Sequence, residues 1–182
     1  MRKIYFVRHG ESKHNAASIY AGTIDSPLTA LGKSQAIQTG ELLKNKNISH
    51  LITSQLKRAQ DTACAISDIL STKQKITLQN TPLLNEVNFG DIQNKKIQQI
   101  DGLIYGVESG TGESLTSLYT RAKQVIKIIQ SIKTKDCILV VGHGAFTAVI
   151  FAVYEGISPE HFLDYKKKWR FQNGEIKKIL SF

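Results

Sequence analysis

Two histidines in this chain each follow a short apolar run and each precede a glycine. Lys3–Val7 (KIYFV) leads into Arg8-His9-Gly10, and Cys137–Val141 (CILVV) leads into Gly142-His143-Gly144. An imidazole at the end of a buried strand can serve as a nucleophile or as a donor to an anion. A following glycine lets the backbone turn tightly and approach a ligand. Arg8 stands beside His9. An arginine at the end of a buried strand needs a counter-anion, because an unpaired buried charge is costly. A local carboxylate, Glu11 or Glu86, is one candidate partner; a phosphate, which fits the guanidinium fork, is the other. A single histidine in such a place is more often structural. Two at equivalent strand ends point to a site, since open α/β sheets bind ligands beyond the carboxyl ends of their strands.

Further clusters follow in order along the chain. Arg8-His9-Gly10-Glu11-Ser12 is followed by Asn15. Asp25-Ser-Pro-Leu-Thr29 precedes Gly32 and Gln35-Ala36. Ser54-Gln-Leu-Lys-Arg58-Ala59 precedes Thr62-Ala63, and Leu84-Asn-Glu86 precedes Phe89-Gly90. Gly112-Glu-Ser114 and Val141-Gly-His143-Gly144 complete the series. Together, over residues 4–153, these clusters resemble the histidine phosphatase superfamily, the phosphoglycerate mutase-like proteins. The resemblance implies that His9 takes the phosphoryl group on a ring nitrogen. It implies that Arg8, Arg58 and His143 bind the phosphate oxygens, with Asn15 as a further donor. It implies that Glu86 gives a proton to the leaving oxygen and later helps activate water.

The chemistry suits those residue types. A phosphoryl group in flight spreads negative charge over three oxygens, so catalysis is mostly positioning plus cationic stabilisation. Two arginines and a histidine supply that charge without a cofactor. The chain has no GxxxxGK[ST] loop and no metal-ligand spacing. His9 must be unprotonated at the attacking nitrogen, and Arg8 and Arg58 disfavour the imidazolium. For Glu86 two effects oppose: a bound phosphate favours the protonated acid, and the arginines favour the carboxylate. Plainer readings stand beside these. Glu86 is otherwise a solvated loop residue, and Asn15 a turn residue or helix cap. Arg58 is otherwise a surface arginine on the first turn of a helix, although a helix N-terminus favours anions. Ser12 and Thr23 are weaker candidates to line the site. His14, His50 and His161 are expected at the surface, and Glu113 in the first turn of a helix.

The elements that must hold these residues follow from periodicity. Lys3–Val7, the runs around Leu51-Ile52 and Ile76–Leu78, and Cys137–Val141 read as strands. Leu56, Ala59, Ala63, Ile66 and Leu70 form one apolar helical stripe; Leu115, Leu118, Ala122, Val125, Ile129 and Ile132 form another. Thr29 and Ser114 are expected N-caps. CILVV, apolar throughout, suggests a strand covered on both faces. Asn173-Gly174, between strand-like flanks from Trp169 to Ile176, predicts a hairpin with a type I′ turn and an antiparallel edge. The expected fold is α/β: a three-layer sandwich with a mainly parallel sheet, helices on both faces and an antiparallel edge strand. One domain is expected over 1–182, with a polar loop or cap excursion over about 88–112.

Composition narrows the classes further. The chain has 182 residues, 41% of them apolar, and a net charge of +9. That excludes a disordered chain, a collagen and a disulfide mini-protein. Its longest apolar stretches fall short of a membrane span. Ile4–Val7 is too short for a secretory leader, so the chain is expected to begin with a strand and to stay in the cytoplasm. Cys64 and Cys137 are expected as reduced, buried thiols. The charge, with its cluster at Lys166–Lys168 and Arg170, points to an anionic small substrate and a basic surface. No nucleic-acid-binding motif accompanies it. The function these features favour is a metal-independent phosphomonoesterase, acting through a phosphohistidine on a small phosphorylated metabolite. The alternatives are a cofactor-dependent phosphoglycerate mutase and a phosphohistidine protein phosphatase. Two features favour hydrolysis over mutase activity. Glu86 and His143 are only 57 positions apart, with Lys95 and Lys96 the excursion's cations. And Ala21 stands before Gly22, where mutases of the family carry a hydroxyl residue. An inert phospho-ligand-binding module is disfavoured because His9 and Glu86 are both present.

Overall fold

The structure, a computed structural model, describes residues 2–72, 75–97 and 111–180. Five strands form one sheet: β1 (Lys3–Arg8), β2 (Ile48–Ser54), β3 (Thr77–Thr81), β4 (Cys137–Gly142) and β5 (Ile176–Leu180). Their spatial order is β3-β2-β4-β1-β5. All pairings are parallel except β1 with β5, the antiparallel edge.

Alternation along the strands explains the layers. Ile4 and Phe6 of β1 and Ile138 and Val140 of β4 enter one apolar cluster; Tyr5, Val7, Leu139 and Val141 enter the other. Successive side chains of a strand point to opposite faces, so a strand buried on both sides reads as continuously apolar. In β2, Ile48 and Leu51 share a face although three positions apart, because the register shifts between Ile48 and His50. The extra residue of a bulge accounts for that change of phase.

Helix α2 (Ala30–Leu43) and helix α3 (Lys57–Leu70) cover the second cluster. Helices α4 (Leu115–Ser131), α5 (Gly144–Tyr154) and α6 (Phe162–Lys168) cover the first, and the short α1 (Lys13–Ala16) follows β1. The expected caps form: Thr29 accepts from the Gly32 amide, and Ser114 from the Ser117 amide. The α3 and α4 stripes are the buried ones, through Ala59, Ala63, Ile66 and Leu70 and through Leu118, Ala122, Val125 and Ile129. Truncating one of the large residues to alanine is worth about 2–5 kcal/mol.

The hairpin expected at Asn173-Gly174 does not form. Of these two residues only Gly174 has a positive φ, +74°, whereas a type I′ turn needs two. The first arm, from Trp169, is not a strand; β5 instead pairs with β1. Of the excursion expected over 88–112, residues 98–110 lie outside the described residues. Its earlier part packs against the loop after α1, with Tyr20 and Lys95, and Asn94 and Tyr20, joined by backbone hydrogen bonds. The cysteines are free, but Cys64 is exposed and Cys137 half-buried rather than both buried. Cys64 lies in α3 between positions of the apolar stripe, which turns it outward. None of the described helices is long and apolar enough to cross a membrane.

Candidate active site

The sheet register brings the two histidines together. β1 and β4 are neighbours, with Val7 opposite Val141 and Arg8 opposite Gly142. The His9 amide donates to the Gly142 carbonyl at 2.9 Å. The two imidazoles meet edge to face, their centroids 5.0 Å apart, and both are buried. β2, on the other side of β4, delivers Ser54 at its end and Arg58 on the first turn of α3. Three adjacent strands therefore end at one place.

His9 is fixed by two contacts. Its Nδ1 lies 2.6 Å from the Gly10 carbonyl, which can only accept, so Nδ1 carries the proton. The Nε2 lone pair is then presented, and Arg58 Nε donates to it at 3.1 Å. Burial holds the His9 pKa well below the usual 6.5; Arg58 and Arg8 push it further the same way, against the Gly10 hydrogen bond. The ring is neutral, with its Nε2 lone pair turned to Arg58.

Arg58 is buried, with Nη1 donating to Ile24 O at 2.8 Å and Nη2 to Gly22 O at 2.7 Å. The plainer reading as a surface arginine is thus corrected. So is the argument that its helix N-terminus calls for an outside anion. Asp25 Oδ1 accepts the Lys57 amide at 2.7 Å and supplies that negative charge from within the chain. Thr62 ties the assembly together, accepting from the Gly10 amide and donating to the Arg58 carbonyl.

Arg8 Nη1 donates to the Phe171 carbonyl at 2.7 Å, and its buried Nε has no partner. His143 Nδ1 is likewise buried and unpartnered, while its Nε2 lies 2.8 Å from Ser54 Oγ. Burial again lowers the His143 pKa well below 6.5, followed by Arg58, His9, Arg8 and Arg121. Both nitrogens are buried groups that the described residues leave unsatisfied.

Glu86 caps α5. Its Oε1 accepts the Phe146 amide at 2.8 Å and its own Val87 amide at 3.0 Å; Oε2 accepts the Ala145 amide at 3.2 Å. His143, at the N-cap position, gives no side-chain cap, so Glu86 supplies it from another loop. Oε2, with one long contact, is the oxygen with room for a proton. Asn15 lines the cleft and takes part in a helix cap. It closes a capping box with Ser12, and its Oδ1 also accepts from Asn173 Nδ2 at 3.2 Å.

Arg8, His9, Asn15, Arg58 and Glu86 line a single cleft of about 450 Å³, with Gly144 and Ala145 at its base. His143 packs against His9 but is not among the residues that line the cleft. The glycines after the histidines serve packing rather than a turn. A Cβ on Gly10 would lie 2.1 Å from Gly32 O, and one on Gly144 would lie 3.2 Å from Arg8 Cζ. Ser12 and Thr23 do not contribute to the lining that the structure describes: Ser12 is buried in the capping box, and Thr23 bonds Gln93. Glu113 precedes the α4 cap and grips Arg121 through both oxygens, instead of sitting in the first turn. His14 and His50 are partly exposed and His161 is exposed. Among the described residues no group of three or more histidines, cysteines or carboxylates is placed to hold a metal ion.

Sequence reasoning missed Ser54, Arg121, Asn173, Lys166 and Arg170 as site or supporting residues. Their roles depend on contacts across the fold, although Lys166 and Arg170 already stood out as a charge cluster.

Known proteins share this fold. The probable phosphoglycerate mutase GpmB of Erwinia tasmaniensis is 29% identical over 190 residues, covering 98% of this chain and 85% of its own. The α-ribazole phosphatase of Shigella flexneri superposes with a TM-score of 0.79 at 24% identity, covering 97% of this chain and 89% of that one. A mycobacterial glucosyl-3-phosphoglycerate phosphatase, solved with VO3, superposes with a TM-score of 0.81 at 22% identity, covering 98% and 90%. The model of the histidine phosphatase superfamily (branch 1) matches residues 4–179, and the chain belongs to that family.

Proposed function

We propose that the protein is a metal-independent phosphomonoesterase that acts on a small phosphorylated metabolite through a phosphohistidine. The observation that carries this reading is the neutral, Nδ1-protonated His9, its Nε2 held at 3.1 Å by a buried arginine. In the first step Nε2 attacks phosphorus and the ester P–O bond breaks. The leaving oxygen takes a proton from Glu86, whose Oε2 has room for one. In the second, water attacks the phosphohistidine, its proton passes to Glu86, and phosphate leaves with the N–P bond pair returned to Nε2. Arg8, Arg58, Asn15 and His143 bind the equatorial oxygens. The two guanidinium groups supply positive charge that a metal ion supplies elsewhere. Dividing one displacement into two lowers the barrier of each.

Mutase activity is the second reading, favoured by the name of the relative from Erwinia tasmaniensis. Against it, the two excursion lysines do not supply cations to the described lining: Lys96 Nζ is engaged by the Ala17 carbonyl. Ala21, which lines the cleft, offers no hydroxyl. The unit is proposed to act as one domain over 1–182, in the cytoplasm, where two free thiols are at home.

The test is p-nitrophenyl phosphate hydrolysis by the wild type and His9→Ala, in EDTA, with rapid-quench capture of acid-labile phosphate on the protein. Turnover and capture by the wild type alone are expected. Undiminished hydrolysis by the variant overturns the role of His9. Loss in EDTA that zinc or magnesium restores overturns metal independence. Conversion of 3-phosphoglycerate to 2-phosphoglycerate, faster than phosphate release, decides for the mutase.

A further inference from the structure

The cleft does not end at the histidines. One wall is built by the end of α6 and the segment after it, where Lys166, Trp169, Arg170, Phe171 and Gln172 all line the same cavity as Arg8 and His9. The cluster at Lys166–Lys168 and Arg170 is therefore divided. Lys167 and Lys168 are solvated, while the half-buried Lys166 and the exposed Arg170 contribute to the cleft.

This wall is held in place. Trp169 packs against Phe151, with ring centroids 4.9 Å apart, and against Tyr165 and Phe171, each at 6.0 Å. The Phe171 carbonyl receives Arg8 Nη1, which ties the wall to the catalytic end. Arg170 is folded back, its Nη1 donating to the Lys167 and Trp169 carbonyls at 2.8 Å. Ile19, Tyr20 and Phe89 also line the cleft, the last two edge to face at 5.3 Å.

Charge in the described lining is lopsided: Arg8, Arg58, Lys166 and Arg170 against the single carboxylate of Glu86. Asp25 and Glu175 oppose that charge at Arg58 and Arg8 from outside the lining, and Glu86 opposes it at Lys166. The Lys166 pKa is lowered to about 8, first by burial and then by Arg170 and Arg8, against the opposing pull of Glu86. A cleft whose lining carries more cations than carboxylates, beside an apolar wall, favours a ligand with a second negative group.

We infer that Lys166 and Arg170 form a specificity subsite for a second anionic group, a carboxylate or a second phosphate, on the far end of the phosphomonoester substrate. This deepens the phosphomonoesterase reading and rests on it. The subsite is carried by the C-terminal segment of the chain and not by the excursion after Glu86.

The test compares matched esters of primary alcohols. 3-Phosphoglycerate against glycerol 3-phosphate is the carboxylate arm. 1,3-Propanediol bisphosphate against its monophosphate is the phosphate arm. Phosphate release is measured for the wild type, Lys166→Met/Arg170→Gln and the conservative Lys166→Arg/Arg170→Lys. In at least one arm the wild type should prefer the doubly anionic ester by about tenfold or more in kcat/KM, and the favoured arm names the group. The neutralised pair should bring that ratio within about threefold of one, and the conservative pair should keep it. Thermal melts establish that each variant is folded. A wild-type ratio near one in both arms, or a ratio that the neutralised pair leaves intact, overturns the inference while leaving the phosphatase reading standing. Absence of turnover on every ester overturns that reading instead. Calorimetric titration of the same pairs into His9→Ala then decides the subsite on binding alone, by the same ratios.

Discussion

His143 Nε2 lies 2.8 Å from Ser54 Oγ, and that hydroxyl gives its only proton to Asn85 Oδ1 at 2.9 Å. The Asn85 atom is an oxygen, because it also accepts the Gln55 amide at 3.0 Å. Ser54 Oγ must therefore accept from His143, whose proton sits on Nε2. Nδ1 is left as a bare lone pair, buried and unpartnered. A lone pair repels an oxyanion, so His143 can bind phosphate through Nδ1 only as the imidazolium.

Anion binding should then take up a proton. Burial and the neighbouring arginines keep the ligand-free His143 pKa well below 6.5, and a bound dianion raises it. Between those two values the complex holds one proton more than its parts. Tungstate, which does not titrate between about pH 6 and 8, is a suitable probe in the range where histidine switches charge. Calorimetry in buffers of different ionisation enthalpy should find about one proton absorbed, and affinity should rise up to about tenfold per pH unit on acidification. Ser54→Ala releases the tautomer, so uptake should fall in that variant. Zero uptake by the wild type would show that His143 does not meet the anion through a protonated Nδ1.

Acid should also loosen the ligand-free fold. His9 and His143 both have folded pKa values depressed from 6.5. A histidine depressed in the folded state makes the unfolded chain bind more protons once the pH drops below the unfolded value. Stability is therefore fully present above about pH 6.5 and declines as pH falls from there toward the folded values. Urea denaturation between about pH 7 and 5 should report that slope. His143→Gln should flatten it, and tungstate should offset it. A pH-independent midpoint in the wild type would show that the two rings are not held neutral.

The layers were legible because the strands betray themselves locally. CILVV has no polar residue, and the α3 and α4 stripes repeat at helical spacing. Helix α5 was not legible: Ala145 to Ala152 is buried on every side, so its pattern has no polar face to set a period. The histidines and arginines of the site were legible from their place after apolar runs and within ordered motifs. What surrounds them was not. Asp25 on the α3 amide, Glu86 on α5 and Ser54 beneath His143 are contacts between residues 32 to 89 positions apart. No local pattern encodes such pairs. Asn173-Gly174 misled because a hairpin needs two pairing arms, and the upstream arm is given over to the cleft wall.

Glu86→Gln separates the acid from the cap. The amide keeps one acceptor oxygen but sets an NH2 group against an α5 amide, at a cost of about 1 kcal/mol in stability. It also removes the proton donor. Hydrolysis of p-nitrophenyl phosphate should fall only modestly, and that of alkyl phosphates about a hundredfold or more, so log kcat/KM should depend more steeply on leaving-group pKa. Equal losses on good and poor leaving groups would leave Glu86 as a cap alone.

Arg121 is the brace behind Glu86. Its Nη1 donates to the carbonyls of Leu83 and Asn85, at 3.0 and 2.7 Å, on the loop that ends in Glu86. Its guanidinium lies 3.6 Å from the centroid of Phe146, whose amide Glu86 accepts. Glu113 holds the other side with two contacts, at 2.7 and 2.6 Å, and both side chains are largely buried. One planar group thus fixes the loop, the helix start and the distance between them. Lysine keeps the charge but cannot fork, stack and donate to two carbonyls at once. Arg121→Lys should cost about 1–3 kcal/mol in stability. It should lower kcat on alkyl phosphates while tungstate affinity stays within about threefold, because Arg121 touches Glu86's supports and not the anion. Arg121→Met should cost more, about 3–5 kcal/mol, since it strands Glu113. Glu113→Gln in that background should return part of it. If Arg121→Lys weakens tungstate as much as it slows alkyl phosphate turnover, the brace acts on the whole cleft rather than on Glu86.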